Sequence, residues 1–232
     1  SATEGVQFYT EKIWKWADEL NLPRIIFLNK MDHERANTGP ILETIKTKFK
    51  KTPIFIHLPQ GAGDKFSGIV DLIENKYLSY NKGGDGKGKD GDVPGDITDE
   101  MELSHAELME AVAEVDDELI EKYLESGELT AEEFSRGLKE GIQKGELIPV
   151  LCGSAAENIG VDLLLQAMVK YLPSPENRAP VTATKVEDDT EVTRSAGSGE
   201  ATSALVFKTI ADPYAGKLTL FRTFSGTIKG DS

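Results

Sequence analysis

The chain of 232 residues is long enough for one large domain or two small ones with a buried core. Its hydrophobic content of 39% and charged content of 28% are ordinary for a globular protein, and no apolar run approaches the roughly 20 residues that cross a bilayer. The net charge of −14 argues against general nucleic-acid affinity, because phosphate neutralisation needs Lys and Arg.

The first part of the chain alternates helix and strand in the manner of a parallel α/β sheet. An amphipathic helix is predicted over Tyr9–Leu20, and Asn21 and Pro23 end it. Its apolar stripe consists of Tyr9, Ile13, Trp16, Ala17 and Leu20. Arg24–Leu28 is a short apolar run, which is typical of a strand buried on both faces. A second helix is predicted from about Gly39-Pro40, and its inward stripe is Ile41, Ile45 and Phe49.

The pattern changes in the middle of the chain. Short strands are predicted at Pro53–Leu58, Gly68–Ile73 and Lys76–Tyr80. The glycine-rich stretch Asn81–Asp96 is predicted to be a turn or mobile loop, and it lacks the ligand spacing of an EF-hand. Helices return from about Thr98, and Thr130 with Glu133 forms a capping-box pattern at the start of one of them.

An acidic stretch covers these helices. Between Ile97 and Glu140 the chain has 15 acidic residues against three basic ones. The simpler interpretation is a solvated helical surface. The alternative is a docking surface for a partner protein.

The last third contains a second buried-strand candidate and a change of architecture. Leu147–Cys152 predicts a buried strand, followed by a small-residue turn and a helix over Val161–Leu172. Prolines from Pro173 to Pro180 mark a linker. Strands are then predicted at Ala204–Ile210 and Lys217–Phe224, and the chain ends too soon to close a barrel, so we expect a truncated piece of a longer protein.

The tetrapeptide Asn29-Lys30-Met31-Asp32 follows the first buried strand directly, at the end of a parallel strand where ligands bind in such sheets. The Asp32 carboxylate can accept hydrogen bonds from the N1–H and N2–H of guanine, a donor pair that adenine lacks. The Asn29 amide can bond the base edge and brace neighbouring loops. The methylene stem of Lys30 can lie along the base plane with its ammonium in water. Alone, this pattern is also compatible with a charged turn between strand and helix.

A second element makes the assignment more specific. Gly153-Ser154-Ala155 follows the second buried strand, again at a carboxyl end. In a guanine site, such a small-residue turn brings the backbone N–H of Ala155 to the guanine O6. The predicted nucleotide-binding residues are therefore Asn29, Lys30, Asp32, Ser154 and Ala155.

With these residues in place, the chain resembles the translational GTPases of the elongation factor G type over nearly its whole length. Asn29–Asp32 matches their guanine-specificity motif, and Cys152–Ala155 matches their closing motif. Gly68–Ile73 is similar to the insertion that distinguishes elongation factor G from elongation factor Tu, Tyr171–Pro175 to the exit from the GTPase domain, and Ala204–Asp231 to the opening of a β-barrel domain. Further similar phrases are Leu58-Pro59, Ala111–Glu114 and Tyr123-Leu124.

The resemblance implies an α/β fold: the C-terminal part of a P-loop GTPase-type parallel sheet (1–52 and 146–175) with an α+β insertion (53–145). A linker (176–202) and the start of a β-barrel domain (203–232) would follow. It implies a cytoplasmic protein, a monomer in our expectation and without a membrane partner, that binds GTP or GDP and drives translocation on the bacterial ribosome. The insertion would contact the ribosomal stalk protein.

The departures from the family pattern limit this interpretation. The 232 residues contain no G-x-x-x-x-G-K-[ST], so no loop is predicted to cradle phosphates or to offer a hydroxyl to Mg²⁺. We expect the parent protein to hydrolyse GTP and this chain alone to be inactive. The alternatives are a non-hydrolysing ribosome- or protein-binding module that docks through its acidic helices, and a different enzyme on an α/β sheet.

Other chemically active side chains give weaker signals. His33 lies next to the guanine motif and could approach the ribose, but it is more typical of a surface histidine at the entry of a helix. His57 and His105 have no partner at metal-ligand spacing, so we expect no metal site and no catalytic residue. Cys152, the single cysteine, excludes an internal disulfide, fits a reducing compartment and is predicted to be an inert buried thiol.

Overall fold

The computed structural model describes residues 1–230, which divide into two units, Ser1–Leu172 and a second unit that starts at Pro173. The last two residues of the predicted barrel segment, Asp231 and Ser232, lie outside the described residues. The first unit mixes helices with a parallel and an antiparallel sheet, which confirms the predicted α/β class.

The elements of the first unit follow the predicted order with two differences: the single strand predicted over Pro53–Leu58 is two strands in different sheets, and a further short strand lies within the predicted loop. In chain order they are α1 (Phe8–Glu19), β1 (Ile26–Leu28), α2 (Gly39–Phe49), β2 (Thr52–Phe55), β3 (His57–Gln60), β4 (Gly68–Asp71), β5 (Lys76–Ser79), β6 (Lys89–Gly91), α3 (Thr98–Ala113), α4 (Asp117–Ser126), α5 (Ala131–Lys144), β7 (Leu147–Cys152) and α6 (Val161–Tyr171).

The parallel sheet contains both strands that the sequence predicts to be buried, but in β1 only Leu28 is buried, whereas Ile26 and Phe27 are half-buried. Its order is β1-β7-β2, and all its pairs are parallel. All six residues of β7 are buried, as expected for a central strand with helices on both faces. Leu28 pairs with Cys152, so β1 and β7 end side by side.

The antiparallel sheet has the order β3-β4-β5-β6, and its last strand lies within the stretch that the sequence predicts as a loop. A single residue, Ile56, separates β3 from β2 of the parallel sheet. The Ile56 N–H donates to the Val150 carbonyl of β7 at 3.1 Å, and its carbonyl accepts the N–H of Leu72 at 3.0 Å. Ile56 is fully buried and bonded in both directions, so it joins the two sheets directly.

Three helices cover one side of the unit. Apolar side chains of α3, α4 and α5, among them Val112, Leu119 and Ile142, pack into one cluster with Ile54 and Leu151 of the parallel sheet. The predicted capping box at the start of α5 is confirmed, because the Thr130 hydroxyl accepts the Glu133 N–H and the Glu133 carboxylate accepts the Thr130 N–H.

The position of α1 confirms the predicted helix but corrects its inward face. Tyr9, Ile13 and Leu20 are 71%, 59% and 67% exposed, although they form the apolar stripe. The buried residue is Trp14, which stacks on Phe49 of α2 at a ring distance of 4.2 Å. Periodicity shows which residues share a face, whereas the neighbouring elements decide which face is covered.

The second unit consists of two antiparallel hairpins. Its strands are β8 (Val181–Thr184), β9 (Glu191–Arg194), β10 (Ser203–Asp212) and β11 (Gly216–Ser225). The β10–β11 hairpin matches the two predicted strands. The β8–β9 hairpin lies within the stretch predicted as a linker, and the sequence prediction missed it although Val and Thr residues of both strands favour β structure.

Among residues 1–230, no helix has the length and apolar character needed to traverse a lipid bilayer.

Candidate functional site

The loops that follow β1 and β7 lie next to each other at one edge of the parallel sheet. The loop 29–38 leaves β1, and the loop 153–160 leaves β7. The parallel pairing continues past the strand ends, because the Gly153 N–H donates to the Leu28 carbonyl at 3.1 Å and the Met31 N–H donates to the Gly153 carbonyl at 3.1 Å. The edge is the carboxyl end of the sheet, where ligands bind in open α/β folds.

Asn29 links the two loops through its side chain. Its Oδ1 atom accepts the backbone N–H of Ala155 at 2.9 Å and the N–H of Lys30 at 2.8 Å. The bracing role expected of the Asn29 amide is thus a direct contact in the structure. With Oδ1 used in this way, its amide –NH₂ is left for other partners.

The turn after Asn29 has an uncommon backbone. Lys30 has a φ of 71°, in the left-handed region that non-glycine residues rarely adopt. The following residue, Met31, is only 2% exposed and packs with Cys152 of β7 and with Ile159 of the neighbouring loop. The buried Met31 anchors the turn, while the Lys30 side chain stays exposed with its Nζ 4.0 Å from the Glu4 carboxylate.

Asp32 has a buried oxygen without a partner. Its Oδ1 atom is inaccessible to solvent and accepts no hydrogen bond from any described residue. A buried carboxylate oxygen without a donor is costly, and three other buried atoms, Trp14 Nε1, Arg24 Nη1 and His57 Nδ1, also have no partner. Of these four atoms, only Asp32 Oδ1 belongs to one of the two loops at the carboxyl end of the parallel sheet. The sequence predicts that the Asp32 carboxylate accepts the donor pair on the edge of guanine.

Ser154 uses its polar groups inside its own loop. It is fully buried, it forms an antiparallel bridge with Ile159, and its Oγ accepts the Glu157 N–H at 3.2 Å. Ser154 therefore shapes the turn. Ala155, the next residue, is exposed. The sequence predicts that its N–H reaches the guanine O6, whereas in the structure this N–H donates to Asn29 Oδ1.

The five predicted residues therefore lie on two adjoining loops. Asn29 and Ala155 are in contact, Asp32 has the unpartnered oxygen, Lys30 is exposed, and Ser154 has a role within its loop. His33 is exposed on the same loop, as expected of a surface residue.

A separate cleft of about 440 Å³ lies between the antiparallel sheet and α6, and none of the five predicted residues lines it. His57 and Asp71 line it, with His57 Nε2 3.8 Å from an Asp71 oxygen. Burial lowers the pKa of His57 to about 4, and the nearby carboxylates of Asp71 and Asp162 only partly oppose this. The imidazole is therefore neutral at pH 7, and its Nδ1 atom is buried without a hydrogen-bond partner among the described residues.

Sequence reasoning missed the polar contacts of the cleft. The Tyr80 hydroxyl donates to Asp162 Oδ1 at 2.9 Å, and the Gly88 N–H is 3.3 Å from Asp162 Oδ2. Burial, followed by the hydrogen bond to Asp162, raises the pKa of the Tyr80 hydroxyl. These partners are 82 and 74 positions apart in the chain, and no local pattern indicates such a pair.

Comparisons with known proteins identify the family to which the chain is similar. Residues 1–174 match the sequence profile of the family described as the elongation factor Tu GTP binding domain. The elongation factor G proteins of Thermotoga sp. (strain RQ2) and Thermotoga maritima are 40% and 39% identical to the chain over 231 residues. In each case the match covers 100% of this chain and 33% of the relative, so the chain spans about a third of the length of these relatives.

A solved structure supports the same fold. A crystal structure of a protein from Thermus thermophilus superposes on 97% of this chain with a TM-score of 0.77 and 29% sequence identity. The superposed region is 31% of that protein's chain.

Proposed function

Because this chain belongs to the elongation factor Tu GTP binding domain family, we propose that it recognises the base of a guanine nucleotide through the loops 29–38 and 153–160. The observation that supports this most directly is the buried, unpartnered Oδ1 of Asp32 at the carboxyl end of β1. Guanine has two adjacent N–H donors on one edge, and a carboxylate can accept both.

Each of the other site residues has a distinct part in this proposal. The Asn29 –NH₂ is available for an acceptor on the other edge of the base, since Oδ1 accepts the Ala155 N–H. The Lys30 stem covers the face of the ring. Ser154 shapes the turn, and the small side chain of Ala155 lets the guanine O6 approach this turn, where it would share the Ala155 N–H with Asn29 Oδ1.

The relatives extend the proposal to a whole protein. We propose that the 232 residues are the guanine-recognition part of a longer, ribosome-dependent GTPase of the elongation factor G type, acting in translocation. The match over a third of the length of elongation factor G relatives supports this. Hydrolysis needs cations and backbone donors around the γ-phosphate. The 232 residues contain no phosphate-binding or Mg²⁺-binding motif, so this polypeptide alone should bind guanine nucleotide weakly and should not hydrolyse GTP.

One surface favours a partner protein in addition to nucleotide. Helices α3, α4 and α5 present most of the 15 acidic residues that lie between Ile97 and Glu140, and three basic residues offset them. In the proposed parent protein, we assign this surface to the ribosomal stalk protein. If the base site proves inactive, docking through these helices is the remaining function, as a binding module without hydrolysis.

The experiment that tests base recognition is a nucleotide titration followed by amide NMR. Addition of GDP should shift the amide signals of Asp32 and Ala155, while ADP at the same concentration should leave them in place. Asp32→Asn exchanges an acceptor for an amide that can donate to a 2-oxo group. This variant should therefore prefer xanthosine diphosphate to GDP, with a change in relative affinity of roughly 100-fold.

A matched control separates recognition from charge. Glu34→Gln removes a carboxylate that is exposed on the same loop. It should leave the preference for GDP intact. An Asp32→Asn variant that folds and keeps the wild-type preference would remove the role given to Asp32.

A further inference from the structure

The turns of the antiparallel sheet contact both loops of the guanine site. The first is the turn between β3 and β4. Its Gly63 N–H donates to the Met31 carbonyl at 2.8 Å. Phe66, which directly follows the short 3₁₀ segment Gly63–Lys65 of this turn, is fully buried in the same cluster as Met31.

Gly63 fits closely against the first loop. Its φ is +61°, and a Cβ atom added to it would lie 3.0 Å from the Glu34 Cα atom. Only glycine adopts this backbone and this approach without strain. The turn therefore fixes the backbone on both sides of Asp32, at Met31 and at Glu34.

The second contact is made by the turn that follows β5. The Gly83 N–H donates to the Glu157 carbonyl at 3.1 Å, and the Asn158 Nδ2 donates to the Gly84 carbonyl at 3.4 Å. A Cβ atom at Gly86 would come within 2.4 Å of the Asn158 side chain, so this turn lies directly against the loop that presents Ala155.

Lys82 joins the two turns to each other. Its Nζ atom donates to the Asp64 carbonyl at 3.2 Å and lies 3.9 Å from the Asp64 carboxylate. The contacts therefore close a ring: Asn29 bonds Ala155 directly, and Gly63, Lys82 and Gly83 connect the same two loops through the turns of the antiparallel sheet.

We propose that the antiparallel sheet positions the two guanine-binding loops relative to each other, and that Lys82 is the positioning residue that couples its two turns. The proposal rests on the proposed function for the identity of the ligand, but the mechanical coupling does not depend on it. A ligand that contacts both Asp32 and Ala155 fits best when the two loops are held at a fixed distance from each other. Its binding should in turn protect the amides of Gly63 and Gly83, because coupling between two sites is reciprocal.

Hydrogen exchange in the full 232-residue chain tests the coupling without nucleotide. Lys82→Met keeps the methylene stem and removes the ammonium. Amide exchange at Gly63, Gly83 and Ala155 should become about two- to five-fold faster, the range for a partly exposed charged contact. The melting temperature should change little, which shows that the variant is folded.

Lys76→Met is the matched control. Lys76 lies on β5 of the same sheet, its side chain is 43% exposed against 41% for Lys82, and its Nζ is 3.9 Å from an Asp90 carboxylate, the same distance as in the Lys82–Asp64 pair. That ion pair lies within the antiparallel sheet, between β5 and β6, and involves neither loop. Lys76→Met should leave exchange at Gly63, Gly83 and Ala155 unchanged.

A second variant tests the close approach. Gly86→Ala forces a side chain against Asn158 at a φ of +74° and should accelerate exchange at Ala155 by at least about tenfold. Gly95→Ala is the control, because nothing lies within 4 Å of a Cβ atom added there, and it should leave exchange at Ala155 unchanged.

The outcomes separate this inference from the proposed function. If Lys82→Met leaves all three amides unchanged, or Lys76→Met has the same effect, the positioning role is wrong even if GDP binds. If the exchange results are as expected but GDP shifts no signal, the loops are coupled and the guanine assignment is wrong. If GDP binds and Lys82→Met lowers the affinity for GDP about two- to five-fold, both the guanine assignment and the positioning role of Lys82 are supported.

Discussion

Asn29 and Ala155 are 126 positions apart in the chain, and a single hydrogen bond of 2.9 Å joins the side-chain oxygen of the first to the backbone N–H of the second. This contact crosses from the loop after β1 to the loop after β7. It sets the distance between Asp32 and the turn that faces it, so the site depends on an acceptor at position 29 as well as on the carboxylate.

The acceptor and donor functions of Asn29 can be separated by mutation. Asn29→Ala removes the acceptor, and the exchange rate of the Ala155 amide should rise by about tenfold, as expected for the loss of one hydrogen bond. Asn29→Asp keeps an acceptor at the same place and should keep most of the protection, while it loses the –NH₂ proposed to bond the base. NMR-detected exchange is the measurement, and equal protection in Asn29→Ala and wild type would contradict the bracing role.

Gly153 should tolerate no side chain. A Cβ atom there would lie 2.3 Å from the Ile159 carbonyl oxygen and 2.6 Å from the Phe27 ring, and backbone atoms cannot move aside cheaply. Gly153→Ala should lower the free energy of unfolding by about 2–4 kcal/mol, measured by urea denaturation. Gly95→Ala, in open space, should change it by less than about 0.5 kcal/mol.

His57 should make the stability depend on pH. Its pKa of about 4 in the folded protein lies below the ordinary value of 6.5, so the unfolded chain takes up the proton first as the pH falls. The stability that the neutral, buried His57 contributes is present above pH 6.5 and is lost progressively as the pH falls towards 4. Between about pH 7.5 and 5 the free energy of unfolding should fall by about 2 kcal/mol on this account.

A variant isolates this effect from the other titrating groups. His57→Gln should show a correspondingly smaller loss between the same two pH values. His33→Gln, at an exposed histidine, is the matched control for the loss of a histidine side chain. Urea titrations at both pH values give the comparison, and identical pH profiles for His57→Gln and wild type would show that His57 is not the source.

The Cys152 thiol should be unreactive towards alkylating reagents in the folded protein. The thiol is fully buried, its Sγ lies 3.6 Å from the His57 carbonyl, and burial raises its pKa. Alkylation by iodoacetamide should be at least about 1,000-fold slower than in denaturant, because it requires opening of the core. In Ala156→Cys, the added thiol on the exposed part of the neighbouring turn should react quickly and serve as the internal control.

Local sequence patterns predicted the elements that place the site. The apolar runs before Asn29 and before Gly153 predicted β1 and β7, and the parallel register that brings these loops together follows from their being neighbours in the sheet. The capping box at Thr130 was equally predictable, because its two partners are three residues apart.

Features that depend on distant neighbours could not be predicted in the same way. Strand β6 (Lys89–Gly91) has the composition of a turn, and it is a strand because the edge of β5 offers hydrogen-bond partners. The exposed stripe of α1 has the periodicity of a buried face. The contacts of Gly63 and Gly83 with the two loops come from backbone groups, which leave no residue pattern beyond the presence of glycine.

The double pairing of Ile56 limits how the chain can be re-engineered. One peptide segment serves as the end of one sheet and the beginning of the other, with its N–H and carbonyl committed to opposite sides. The antiparallel sheet therefore cannot be removed as an independent part. A graft or deletion that starts at Ile56 also removes the hydrogen bond to the Val150 carbonyl, two residues before β7 ends at Cys152. A transplant into another scaffold would have to include β2 together with the stretch of β7 against which it pairs.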